Sequence, residues 1–263
     1  MSLVGGGICI LGLYFSGTGN TKHCVETFVH CYDRSGIAIS IEEPDALDYL
    51  SEHEIIVFGY PVYYSNMPKV VSDFIAVHGV RFRGKQVIVL ATMAMWSGDG
   101  AGCAARALKA HGAQVIGGLH IAMPDNIGDE KVLKKSGEAK RLMVQQAENK
   151  IRLAVLRLKH RRPPQDGLSI WHQILGLLGQ RLWFSGRTNS YQEKPSIDNR
   201  RCNGCGRCVE LCPIGNLDVK NGKAQSNGKC TLCYRCFSHC PRKAITILGK
   251  TVHEQYLFEN VVK

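Results

Sequence analysis

The sequence predicts an α/β chain in which a doubly wound parallel sheet is followed by a second, small α+β domain. Three observations carry this. Five short apolar runs alternate with segments of helical apolar spacing through residues 8–162. The first run ends in the glycine- and hydroxyl-rich stretch Ser16-Gly17-Thr18-Gly19-Asn20-Thr21, and far downstream eight cysteines fall in two copies of one spacing. A chain of 263 residues, 44% hydrophobic, has room for one sizeable core and one small domain.

The first strand is predicted over residues 8–15, ICILGLYF, apolar almost throughout as suits a strand covered on both faces. A helix follows over 21–32. Further strands are predicted at 36–41, 54–60, 86–92 and 114–122, with helices at 69–78, 102–111 and 129–162. In such a sheet the ligand lies beyond the carboxyl ends of the strands. Strand, glycine and hydroxyl loop, then helix is the geometry of a phosphate cradle: backbone N–H groups approach the oxygens, hydroxyls donate more bonds, and the helix dipole favours the anion. The Gly-Lys-Ser/Thr ending of a nucleotide-triphosphate loop is absent. Lys22 stands where G-x-G-x-x-G needs its third glycine.

The S-G-T-G-N-T loop resembles the phosphate loop of flavodoxins. That resemblance implies a flavodoxin-like strand order 2-1-3-4-5 and an FMN held by Ser16, Gly17, Thr18, Gly19, Asn20 and Thr21. It requires two more loops. The one after the third strand offers Pro61, Val62, Tyr63, Tyr64, Ser65, Asn66 and Met67, with either tyrosine able to stack on the ring and Asn66 tolerant of left-handed backbone. The one after the fourth strand offers Thr92, Met93, Trp96, Ser97 and Gly98. Only Asp99 is acidic within these two loops, so the second flavin couple is expected to be less strongly reducing than in an acidic flavodoxin.

Cysteines 202, 205, 208 and 212, followed by Pro213, read C-x2-C-x2-C-x3-C-P, and Cys230, Cys233, Cys236 and Cys240 with Pro241 repeat it 28 residues later. This is the spacing of bacterial [4Fe-4S] ligation. The alternatives are a pair of zinc ribbons or a disulfide framework, but zinc sites usually use two C-x2-C pairs far apart rather than three thiols in a row. The segment 197–248 therefore resembles a two-cluster bacterial ferredoxin, which implies the ligand sets Cys202, Cys205, Cys208 with Cys240, and Cys230, Cys233, Cys236 with Cys212. The whole chain resembles the flavodoxin-ferredoxin fusions of anaerobic bacteria. The expected organisation is a flavodoxin-like domain at 1–162, a linker with an apolar interdomain helix at 163–196, and a ferredoxin domain with its tail at 197–263. Cys9, Cys24, Cys31 and Cys103 are expected as buried free thiols in a reducing, cytoplasmic setting.

The formal charge of +11 omits cofactors; two clusters and a flavin phosphate would bring it to roughly +5. No nucleic-acid-binding motif accompanies it, and no apolar run is long enough to span a membrane. Residues 131–162 hold eleven lysines and arginines against Glu138 and Glu148, either a solvated helix face or a docking face for an acidic redox partner. An apolar helix over 168–184 is expected to form an interdomain core, with peripheral membrane contact through Trp171 and Trp183 as the rival. No catalytic residue is assigned. The leading expectation is an electron carrier relaying between FMN and two clusters; the alternatives are an FMN-dependent reductase of a quinone or other small acceptor, and a redox sensor.

Overall fold

The computed structural model describes residues 9–63, 66–95, 98–131, 134–169, 171–172 and 193–261. Most of the helix expected over 168–184, Trp183 included, lies outside these residues, as do Tyr64, Ser65, Trp96 and Ser97.

Strands β1 (Ile10–Tyr14), β2 (Ile37–Ser40), β3 (Ile55–Pro61), β4 (Gln86–Met93) and β5 (Gln114–Ala122) form one parallel sheet in the order β2-β1-β3-β4-β5. Alternation along β1 sends Leu11, Leu13 and Phe15 to one core and Ile10 and Tyr14 to the other. The first core lies under α2 (Ala46–Glu52), α3 (Lys69–His78) and α4 (Gly100–Ala110). The second lies under α1 (Asn20–Tyr32) and α5 (Gly137–Lys159), which contributes Val144, Ala147, Ile151, Ala154 and Val155.

Helix α2 was not expected from the pattern; its seven residues bury only Ala46 and Leu50, too short a stripe for helical spacing to stand out. Helix α5 begins eight residues later than the expected start at Asp129. The Ser136 hydroxyl accepts from Ala139 N at 3.2 Å and caps it there, while Asp129 is fully engaged elsewhere. Cys24 and Cys103 are buried as expected, but Cys31 is half-buried and Cys9 exposed, because β1 enters the sheet only at Ile10.

After α5 the chain runs back along the free edge of β5. Gly118 N donates to Pro164 O at 2.9 Å, and Asp166 N donates to Gly118 O at 2.9 Å. This covers an edge strand that would otherwise present unpaired backbone groups.

The small domain pairs β6 (Ser196–Ile197) with β9 (Ile245–Thr246) and β7 (Leu217–Lys220) with β8 (Lys223–Ser226), both antiparallel. Two short helices, α6 (Arg207–Glu210) and α7 (Arg235–His239), face each other over a core of Leu217, Leu232, Tyr234, Phe237, Ile245 and Ile247. The 28-residue sequence repeat is also a backbone repeat. Left-handed φ values at Gly204, Gly206 and Gly215 (69°, 76°, 58°) recur at Leu232, Tyr234 and Lys243 (61°, 59°, 49°).

Candidate functional site

The 16–21 loop joins β1 to α1 at the carboxyl edge of the sheet. Gly19 caps α1 in the left-handed region (φ 100°), and its N–H donates to Ser16 Oγ at 3.1 Å. The hydroxyls of Thr21 and Thr92 are 2.7 Å apart, which ties this loop to the end of β4. Asn20 Nδ2 donates to Pro124 O at 2.8 Å, bringing in the loop after β5. The result is a cavity of about 220 Å³. Ser16, Gly17, Thr18, Asn20, Thr21, Pro61, Val62, Tyr63, Thr92 and Met93 line it, all expected from sequence.

Four expected residues are not brought to this cavity. Tyr63 and Asn66 exchange backbone bonds of 3.0 Å, a turn that places Asn66 and Met67 on a separate cleft. Gly19 is taken up by the helix cap, and Gly98 is buried at the approach to α4. Conversely, Met123, Pro124, Asp125, Asn126 and Ile127 line the cavity and were missed. Their signal was positional, a Pro-Asp-Asn turn at the carboxyl end of a strand in this kind of sheet. Asp99, the one acidic residue weighed from sequence, is fully buried and ion-paired to Arg106 at 2.7 Å. The carboxylate that borders the cavity is Asp125, which burial holds above the usual carboxylate range.

The small domain closes the same cavity. Leu232 and Tyr234 line it, and between them the Cys233 carbonyl lies where a Cβ on Gly17 would come within 2.4 Å, so only glycine fits. Asp129 draws the two domains together: it accepts from Tyr234 Oη (2.8 Å), Ile247 N (2.6 Å) and Leu248 N (3.0 Å). Arg235 reaches Ser16 O at 2.8 Å and grips both carboxylate oxygens of Glu42, one at 2.7 Å and the other at 2.5 Å. Its guanidinium also stands 5.3 Å from the Phe15 ring.

The C-terminal residues then cross back over the larger domain. Phe258 N donates to Thr18 O (2.9 Å), Phe258 stacks on His23 (4.2 Å), and the Tyr256 hydroxyl donates to Asn20 Oδ1 (2.5 Å). Glu254 meets the buried Lys140 of α5.

The eight repeated cysteines divide between two small cavities. Cys202, Cys205, Cys208 and Cys240 line an outer one, with Cys205 exposed; Cys212, Cys230, Cys233 and Cys236 line an inner one beneath Leu232 and Tyr234. Backbone N–H groups aim at the sulfurs of both sets: Ala224 N to Cys202 (3.4 Å), Ala244 N to Cys240 (3.4 Å), Asn216 N to Cys212 (3.1 Å) and Leu232 N to Cys230 (3.4 Å). Such donors stabilise thiolates. Burial, together with the neighbouring Cys233 and Cys212 and against the Leu232 N–H donor, pushes the Cys230 thiol up to about 12, so ionisation there calls for a bound cation. Among the described residues no cluster of His, Cys, Asp and Glu closes around a single metal ion. Four thiols around a cavity suit a larger inorganic group, and in both sets the donor chemistry fits an iron–sulfur cluster.

The family described as a flavodoxin domain matches residues 11–161, more than half of the chain. The chain belongs to the flavodoxin family. The family described as a 4Fe-4S dicluster domain matches residues 201–245, so this flavodoxin is fused to a ferredoxin domain. Ferredoxin-2 of Desulfomicrobium norvegicum is 46% identical over 28 residues, 11% of this chain and 48% of that protein; the fusion thus spans about half the length of that curated relative. Among solved structures, a flavodoxin from the domain Archaea (23% identity, 54% of this chain and 97% of that one, TM-score 0.38) and the two-electron reduced Megasphaera elsdenii flavodoxin (24%, 53% and 98%, 0.39) resemble it. So does the general stress protein 14 of Treponema denticola, solved in complex with FMN (11%, 58% and 99%, 0.41). A flavodoxin and a ferredoxin domain together support an electron-transfer role. Among its described residues no helix is long and apolar enough to cross a membrane.

Proposed function

We propose that this flavodoxin-ferredoxin fusion binds one FMN in the cavity at the carboxyl ends of β1, β3, β4 and β5 and one [4Fe-4S] cluster on each cysteine set, and that it relays electrons between them. The observation that carries this is the shared wall. The segment bearing Cys233 is also the roof of the flavin-loop cavity, so a ligand of one group lies directly against the cradle of the other. When bound, a flavin exchanges one or two electrons and each cluster exchanges one.

The residues divide the task. Ser16, Thr18 and Thr21 supply hydroxyls for a phosphate at the start of α1, whose dipole favours an anion. Leu232, Tyr234, Val62 and Met93 supply apolar walls that exclude water from the ring. Arg235, clamped on Glu42 and Ser16, fixes the separation of the two sites.

The expected partners are redox proteins. Several cations of the 131–162 segment are already engaged, Lys140 by Glu254, Lys150 by Asp166 at 2.9 Å and Arg152 by Glu148 at 3.4 Å, so a docking role for an acidic partner falls to the exposed cations that remain on it, among them Lys135, Arg141 and Arg157. The deciding experiment is anaerobic reconstitution, quantification of iron and FMN, and titration with dithionite followed by visible and electron paramagnetic resonance spectra. About eight irons and one FMN per chain, equilibrating with each other, is the expected result. Eight irons without flavin would sink the relay and leave a ferredoxin joined to a domain of other purpose.

A further inference from the structure

Among the described residues, four buried side-chain polar atoms have no hydrogen-bond partner, and three are hydroxyls near the inner cysteine set: Tyr63, Thr231 and Ser238. Thr231 sits between Cys230 and Cys233 and lines their cavity. Ser238 lies in α7 between Cys236 and Cys240. Tyr63 comes from the flavodoxin domain, on the loop after β3. It packs against the core that includes Cys233, and its hydroxyl lies 3.0 Å from where a Cβ on Gly17 would stand, the same face that meets the Cys233 carbonyl. None of these hydroxyls belongs to the loops of the outer set.

A buried hydroxyl without an acceptor forfeits its water and gains nothing in return, so such groups in a folded protein point to an acceptor that the polypeptide itself does not supply. Arg235 cannot serve, being a donor already committed to Glu42 and Ser16. Thr231 lines the cavity enclosed by Cys212, Cys230, Cys233 and Cys236, while Tyr63 lines the flavin-loop cavity and packs against the core that includes Cys233, so the sulfurs of a cluster held by those four cysteines are acceptors of the right kind on the shared wall. We infer that the Tyr63 and Thr231 hydroxyls donate hydrogen bonds to sulfurs of the inner cluster and thereby raise its reduction potential. The inference rests on the cofactor assignment proposed above.

The sign follows from charge. Reduction adds a negative charge to the cluster, and a donor aimed at its sulfurs stabilises the more negative state. The Tyr63 side chain is a neutral phenol whose O–H is buried without a partner, and so it is free to donate. The flavodoxin domain thus tunes a cluster of the ferredoxin domain, and does so from the loop that also walls the flavin cavity.

The test uses reconstituted full-length protein, wild type beside Tyr63→Phe, Thr231→Val and the double variant. Iron and FMN are quantified first, and potentiometric titrations are then followed by electron paramagnetic resonance for the clusters and visible spectra for the flavin. One of the two cluster couples should move to lower potential in Tyr63→Phe, the same couple in Thr231→Val, and further in the double variant, with the other couple unmoved. Cluster couples unchanged in both single variants at full iron and FMN content would overturn the inference. A shift of the flavin couple alone in Tyr63→Phe would overturn it too, assigning that hydroxyl to the flavin. Wild-type protein that takes up no iron or no FMN would instead refute the cofactor assignment.

Discussion

Single residues explain why two copies of one motif behave differently. At the left-handed positions of the first copy stand Gly204, Gly206 and Gly215; at the matching positions of the second stand Leu232, Tyr234 and Lys243. A side chain in that conformation costs about 1–2 kcal/mol. Leu232 and Tyr234 offset it by burial, Tyr234 with a bond to Asp129, and both roof the flavin-loop cavity. The usual order of substitutions should therefore invert at 232. In ordinary helix or strand backbone Gly is less stable than Ala, but here Leu232→Gly should be more stable than Leu232→Ala by about 1 kcal/mol, because only glycine sheds the strain. Chemical denaturation of the two variants under anaerobic conditions decides it, and an alanine variant equal to or better than glycine would remove strain from the account. The sequence showed the register of the repeat through its cysteines. It hid the strain, because a leucine in place of a glycine looks like drift until the backbone is seen to be the same.

At the scale of elements, the sheet was legible because its inner strands β1, β3 and β4 are covered on both faces and so read as nearly unbroken apolar runs, and the edge strand β5 was still bounded to the residue. What escaped was set by contacts distant in sequence. Asp129 looks like a helix start, yet it binds backbone of the ferredoxin domain more than a hundred residues away, and α5 waits for Ser136. The edge of β5 holds a second such contact. His120 Nε2 accepts from Ala101 N at 3.0 Å, and His120 N donates to Asp166 Oδ2 at 3.1 Å, joining α4, β5 and the segment after α5. Burial lowers the His120 pKa to about 4. The unfolded chain, with an ordinary value near 6.5, takes up the proton first as pH falls, so stability from this group is complete above about 6.5 and is lost progressively towards 4. The loss is at most about 3 kcal/mol. In His120→Gln, whose amide oxygen accepts from Ala101 N without titrating, the stability-versus-pH curve should be flatter than wild type between those limits. Parallel curves would mean that another group carries the acid response.

For the whole molecule, the sequence disclosed two cofactor modules but not their mutual placement, because the surfaces that join them carry no motif. The joint is made of a glycine that admits a carbonyl (Gly17), an arginine inside a cysteine motif that grips a distant glutamate (Arg235 and Glu42, 15% and 26% exposed), and a tail that returns to the phosphate loop. None is recognisable until both domains are folded. Together they set an order, with the flavin-loop cavity first, the inner cysteine set against it, and the outer set farthest away with Cys205 at the surface. The outer rim is basic, Arg201, Arg207, Arg242 and Lys243 all being exposed. That order has a kinetic signature. Replacing Cys205 by alanine should disturb the proposed outer cluster and slow electron exchange with an acidic protein donor such as a reduced bacterial ferredoxin several-fold, while the salt dependence that the unchanged basic rim confers persists. Equilibration between the flavin and the inner cluster, followed after rapid mixing with dithionite, should persist. Loss of that internal equilibration in Cys205→Ala, with exchange to the protein donor intact, would place the outer set between the other two and overturn the order.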